Sequence, residues 1–488
     1  MPSTFSNSFY FEDKPQEVAA ALPFISTWKT TSGSETITLP LQNQGTAPSF
    51  TVDWGDESSS TISAYDDPDI THSYTNAGTY TVTIAGTCPA FRFNNGGDKE
   101  KIQKVTQWGS VGVEYAQGMF RGCANLTITA TDAPNFSSLV DTSLGSMFRG
   151  CSSFTTEDFS GWDVSNVTSF LYMFYDCSSF NGDVSTWDTA LSIYFLGTFS
   201  GCTLFNNDIS GWDTGLGLYM GSMLKGCAAF NQDIGDWDVS SCKYPSGMFS
   251  GATIFNQDIG GWDTSEFIDI GSMFLDALAF NQDLNEWDVS NVTDFGGVFQ
   301  RSGFNGDISA WDVSSGLDFS FMFCENTVFA QDISGWTPTA ATTMQSMFST
   351  ATAFNVDISS WDVSTVETFS RMFENNTLFN RDIGGWDTGA GTIMLSMFNG
   401  ATAFNQDIGG WDVTAMTNAQ TMFGTEGSAL STANYDALLI GWAAQAVQTS
   451  VTFGAGGSTY TSGGAAETAR TTLDVTKTWT ITNDSAAA

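Results

Sequence analysis

Tryptophan returns every 25 residues through the middle of this chain, at Trp162, Trp187, Trp212, Trp237, Trp262, Trp287, Trp311, Trp336, Trp361, Trp386 and Trp411; only the step from Trp287 to Trp311 is 24. A fixed period of that size implies one small unit repeated and stacked, so that neighbours share a continuous core. A conventional globular enzyme does not read this way.

The unit runs Met-Phe-x-Gly-Cys/Ala-x-x-Phe-Asn-Gln-Asp-Ile-x-Gly-Trp-Asp-Val-Ser, as from Met248 to Ser265. Its Asp-Ile-x-x-Trp-Asp-Val part alternates as a short strand does, and Met-Phe-x-Gly-Cys predicts a single α- or 3₁₀-helical turn. Units stacked at the strand spacing of about 4.8 Å place identical side chains in ladders. With 40 Phe and 16 Trp, those ladders predict an aromatic core. Cys123, Cys151, Cys177, Cys202 and Cys227 share one column that continues as Ala252, Ala277 and Ala401. The position therefore reads as small and buried, a packing site rather than a disulfide framework.

Against 53 Asp and Glu stand 15 Lys and Arg, a net charge of −38. Such a surface repels phosphate backbones and anionic lipids, so neither nucleic-acid binding nor membrane insertion is expected. Much of the charge lies in two columns, one before the tryptophan (Asp158, Asp183, Asp208 and on to Asp407) and one after it (Asp163, Asp188, Asp213 and on to Asp412). Each carboxylate can cap its own turn. Asp208, Asp233 and Asp258 are weak candidates for holding a cation such as Ca²⁺. The even columns single out no carboxylate pair for glycoside hydrolysis, and with one His and no nucleophile, phosphate-loop or zinc motif the chain predicts no catalytic residue and no cofactor. The column Asn181, Asn206, Asn231, Asn256, Asn281 predicts a buried hydrogen-bonding ladder.

The flanks differ from the repeat. Residues 1–20 read as a polar arm, 21–90 as short strands of a small all-β sandwich, 91–120 as a connector and N-terminal cap, 121–427 as the solenoid, and 428–488 as a C-terminal cap. Asp53-Trp54-Gly55-Asp56, His72-Ser73-Tyr74 and Gly78 to Ile84 resemble the polycystic-kidney-disease (PKD) type of immunoglobulin-like domain, with Glu57 where that family carries glycine. The repeat resembles the BspA-like leucine-rich-repeat surface proteins over roughly residues 113–425, and Ser431 to Trp442 resembles the helix that closes such arrays. Together these imply a leucine-rich-repeat-like solenoid with short strands and single helical turns, preceded by an immunoglobulin-like sandwich, and they imply adhesion.

The expected function is thus non-enzymatic recognition at a surface. The first carrier considered is a phage virion, with the chain as a fibre, spike or capsid decoration that binds a host surface protein or glycan. Met1 to Asn7 lack the basic and apolar regions of a secretory signal, which favours that setting. The alternative is a secreted bacterial adhesin on the cell surface. Either predicts attachment to other virion or surface proteins through the N-terminal region, and a homo-oligomer or larger assembly. Repeat proteins recognise with the residues that vary between constant units. Here that criterion selects Tyr172, Tyr194, Tyr219, Tyr244, Phe267, Phe295 and Phe319 as the ligand face.

Overall fold

The structure, a computed structural model, describes residues 21–424 and 427–487. The expected N-terminal arm, residues 1–20, lies outside the described residues.

Alternating burial builds the N-terminal unit. In β1 (Phe24–Thr30) every second side chain turns inward, Trp28 among them. β2 (Glu35–Thr38), β3 (Ser49–Asp53), β4 (Ser59–Ile62), β5 (Thr71–Tyr74), β6 (Gly78–Thr87), β7 (Ile102–Gln107) and β8 (Thr127–Ile128) follow. One sheet runs β4-β3-β6-β1-β7-β8, and β2 pairs with β5 opposite it. The sheet therefore continues past residue 90: β7 pairs with β1, and β8, already at the first repeat, adds in parallel to β7. Tyr74 donates its hydroxyl to the Trp54 carbonyl at 2.9 Å, tying the β5 strand to the turn after β3. In that turn Glu57 holds φ at 71°, the left-handed region where glycine is at ease.

Beyond residue 113 the chain is a stack of repeated coils. Each donates backbone N–H groups to the next: Tyr172 to Leu196, Gly197 to Gly221, Ser222 to Ser246, Gly247 to Gly271. Two features differ from the sequence reading. The segment Asp-Ile-x-x-Trp-Asp-Val, expected as a short strand, forms none among the described residues and carries a single bridge, Asp158 with Asp183; the other parallel bridges, one residue wide, lie after it in each coil, as Ser169 with Tyr194 and Tyr194 with Tyr219. The expected helical turn is a succession of i to i+3 turns, Leu144 to Met147, Ser146 to Arg149 and Phe148 to Cys151. Left-handed residues at Ser146 (55°) and Gly150 (79°) interrupt it, so no helix can propagate.

The ladders fill the core. Phe323, Phe348, Phe373 and Phe398 stack at 5.6, 5.8 and 5.7 Å, and Trp311, Trp336 and Trp361 at 6.2 and 6.1 Å. Each indole N–H from Trp187 to Trp411 finds a carbonyl of the preceding coil, as Trp287 finds Ile259 at 2.9 Å. All eight cysteines are buried and unpaired; the thiols of Cys151, Cys177, Cys202 and Cys227 donate to carbonyls one coil back at 3.0 to 3.2 Å. Spacing widens across the section: 5.1 and 5.3 Å between exposed tyrosines at the bridge column, mostly 6.1 to 6.5 Å between tryptophans.

The far end is closed by α1 (Thr432–Ala443), β9 (Thr452–Gly454), β10 (Thr459–Tyr460), α2 (Ala465–Thr471), β11 (Thr480–Thr482) and β12 (Ser485–Ala486). Ser431 caps α1 by accepting the Asn434 N–H. Trp442 then takes the place of a twelfth ladder tryptophan, donating to Ile408 at 3.2 Å.

Candidate functional site

The bridge column is a line of half-buried and exposed side chains that changes class from coil to coil on a fixed backbone, beside a second variable column three residues earlier (Asn166, Leu191, Leu216, Ser241, Glu266, Asn291). Read at successive coils it is Ser143, Ser169, Tyr194, Tyr219, Tyr244, Asp269, Asp294, Asp318, Thr343, Thr368, Ile393 and Asn418. Its register is held because the residue after each is a buried core side chain, Phe195 or Ile270 for example. Pro245 occupies that following position once. Lacking an N–H, it cannot donate across the coil, and no bridge joins Tyr244 to Asp269. No bridge joins Tyr219 to Tyr244 either, so the backbone ladder is interrupted on both sides of Tyr244 while its ring still stacks on Tyr219.

The seven residues expected on a ligand face divide. Tyr194, Tyr219 and Tyr244 stand in this column, ring on ring at 5.1 and 5.3 Å with planes 4° and 8° apart. Tyr194 is 41 % exposed and Tyr244 37 %. Tyr172 sits three positions further round its coil, edge-on to Tyr175, with the Arg149 guanidinium over both rings. Phe267, Phe295 and Phe319 are buried, and this corrects their assignment to the ligand face. Phe295 and Phe319 lie in the core column of Phe170 and Phe195, and Phe267 in that of Ser192 and Cys242, so all three contribute packing.

Residues the sequence reading left out of the face complete it. Leu191 and Leu216, 49 % and 51 % exposed, flank the tyrosines. Asp269, Asp294 and Asp318 continue the column, each accepting the N–H two residues on, from Gly271, Gly296 and Ser320, at 2.7 to 2.8 Å. That bond occupies Oδ1 and leaves Oδ2 without a hydrogen bond among the described residues. Burial, reinforced by the charges of Asp269 and Asp318, raises the Asp294 carboxyl above its ordinary range despite the Gly296 N–H. Gly271 and Gly296 open a hollow beside these carboxylates, lined also by Ser246, Ser272 and Phe321. The signal for all five was periodic: each stands close to a multiple of 25 from a tyrosine or from its flank.

The repeated acids do other work. Asp208, Asp233 and Asp258 accept the N–H of Ser210, Gly235 and Gly260 at 2.9, 3.0 and 3.0 Å, closing their own turns. Among the described residues no three His, Cys, Asp or Glu side chains converge as a metal-binding group. The asparagine column is a ladder as expected, Asn231 N–H to Asn206 Oδ1 and Asn256 N–H to Asn231 Oδ1 at 2.9 Å each, but it runs along the surface rather than the interior. His72 stacks on Trp54 and meets Asp56 at 2.8 Å, a structural part of its turn.

Fold and stripe together define a mostly β tandem-repeat protein with few helices, and among the described residues no sheet closes into a barrel. Four successive stretches, residues 90–195, 193–287, 272–376 and 353–449, match the family described as "Mycoplasma protein of unknown function, DUF285". They cover most of the chain, which belongs to that family. No curated protein and no solved structure matches it.

Proposed function

We propose that the chain is a non-enzymatic recognition protein displayed at a surface, and that it binds through the bridge-column stripe. The observation that carries this is the contrast between constant core ladders and a solvent-reached column that runs in blocks, from serine to tyrosine to aspartate to threonine. Selection for folding alone has no need of such segmentation. The coil stack is read as a solenoid of the leucine-rich-repeat, BspA-like kind, supported by its coil-to-coil backbone hydrogen bonds and its helical cap. The N-terminal sheets are read as a PKD-like, immunoglobulin-like unit that serves as spacer or attachment, supported by the Trp54–Tyr74 tie.

Two carriers remain: a virion and a bacterial cell surface. The family description names a cellular organism, which supports the cell-surface adhesin over the phage fibre, spike or decoration protein. Fractionation tests this. The adhesin reading expects the chain in the envelope of uninfected cells; recovery only with purified virions would reverse the assignment. Binding is tested by replacing Tyr194, Tyr219 and Tyr244 with serine, as at Ser169, and measuring attachment to target cells. Retained attachment would sink the stripe reading. No metal is required in this proposal, so a chelator should leave the melting temperature unchanged; a fall would restore Ca²⁺ on the aspartate columns.

A further inference from the structure

We propose that the stripe from Tyr194 to Asp318 docks an extended, cationic segment of a partner protein, its apolar side chains on the tyrosine end and its lysine or arginine side chains on the aspartate end. This rests on the recognition reading and names its partner.

The tyrosine end is the apolar part. Leu191, Tyr194, Leu216 and Tyr244 expose large apolar surface, as Leu204, Ile254, Val328 and Leu378 do on another column of the coils; the stripe differs in that its apolar residues are continued by a row of carboxylates. Contiguous exposed apolar surface marks an interaction site. What it takes is limited by ring geometry. A sugar stacks on an aromatic face, but the faces between Tyr194, Tyr219 and Tyr244 are taken up by one another at 5.1 and 5.3 Å, which leaves the ring edges, the hydroxyls and one face at each end of the stack. Such edges suit aliphatic side chains and backbone polar groups, which a peptide supplies and a saccharide face does not.

Charge complementarity fixes the other half. The next three coils present Asp269, Asp294 and Asp318 in line beside a hollow with glycine at Gly271 and Gly296. Like charges stacked this closely repel, and a partner ammonium or guanidinium would relieve the repulsion through the Oδ2 oxygens. The net charge of −38 draws such a partner in from a distance. From Tyr194 to Asp318 is about 25 Å at the spacing of the column, the reach of roughly eight extended residues.

The probe is a synthetic peptide of about that length, tyrosine and leucine in its first half and lysines in its second, titrated into the full chain by fluorescence anisotropy at physiological salt. Asp269→Asn, Asp294→Asn and Asp318→Asn together keep each turn's acceptor but remove the charge, and should weaken binding at least about ten-fold. Asp208→Asn, Asp233→Asn and Asp258→Asn remove the same net charge elsewhere and should change it less than about two-fold. Tyr219→Ala should also cost about ten-fold, and Tyr219→Phe, which keeps the ring ladder, far less. Equal loss in the two aspartate triples would reduce the effect to general acidity and overturn the proposal. So would the lysine-to-glutamate peptide binding as well, or a neutral glucose hexasaccharide binding in its place. If the tyrosine-to-serine variant loses cell attachment while no stripe substitution alters peptide binding, this inference fails and the recognition reading stands. If attachment survives as well, both fail.

Discussion

Trp287 and Trp108 carry the same indole in opposite circumstances. The Trp287 N–H donates to Ile259, whereas the Trp108 N–H is buried without a partner among the described residues. Trp287→Phe should therefore cost about 1–3 kcal/mol, a lost hydrogen bond plus a void, and Trp108→Phe clearly less because it also removes an unsatisfied donor. Urea midpoints of the two variants check the order. The thiols make a second residue-scale case. Burial alone pushes Cys88 and Cys242 up to about 12, and the ladder cysteines are also raised. At pH 8 the folded chain should resist alkylation, and all eight sites should react once it is unfolded. For the five ladder cysteines this burial was legible in the sequence, because alanine replaces cysteine in the same column; Cys88, Cys242 and Cys324 stand outside it. The burial of Phe295 and Phe319 was legible too, but by phase: they lie 25 or 24 residues apart in the column of Phe195, and variability between units hides that phase.

At the scale of the turn, each coil requires left-handed backbone at two fixed places. Glycine fills the second in several coils, such as Gly226 and Gly251, but Glu325 (59°) and Thr350 (59°) are held there instead. Thr350→Gly should stabilise by about 0.5–1 kcal/mol, the left-handed cost being partly offset by the freedom glycine adds to the unfolded chain. A raised melting temperature is the expected result. Asp276 and Arg301 hold the same place in adjacent coils and form a two-point ion pair at 2.7 and 2.8 Å, so glycine at either should gain less. The sequence motif Met-Phe-x-Gly-Cys announced a turn but not its kind. Helical spacing over five residues fits an interrupted series of i to i+3 turns equally well, and only the backbone angles at Ser146 and Gly150 separate the two.

Across the whole molecule the acids decide the response to pH. Hydrogen bonds from Ser or Thr hydroxyls, then from backbone N–H groups, hold Asp158, Asp163, Asp238, Asp362 and Asp412 below their ordinary range. A carboxyl lowered by folding stabilises fully above its unfolded pKa, and that stability disappears as pH falls through the folded value. Asp294 and Glu157 are raised and act in the opposite sense. With the lowered groups in the majority, unfolding free energy should fall as pH drops below about 4, which acid titration by circular dichroism checks. The period, the aromatic core and the closing helix were all readable along the chain. The surface course of the asparagine ladder was not, because a strict period tells which residues stack but not which side of the coil they face.

The closing helix has a consequence for assembly. To the last coil, Trp442 and Asn434 look like one more repeat: Trp442 bonds Ile408, and Asn434 bonds the Asn405 carbonyl at 2.9 Å. The array therefore carries no intrinsic length, and what ends it is a mimic that accepts a neighbour on one side only. Without residues 428–488 the final coil would offer its donors and aromatic face to the next available equivalent surface. Head-to-tail contact of that kind does not close into a ring by necessity and can run on as a filament, so the cap is what keeps a stackable unit a finite object.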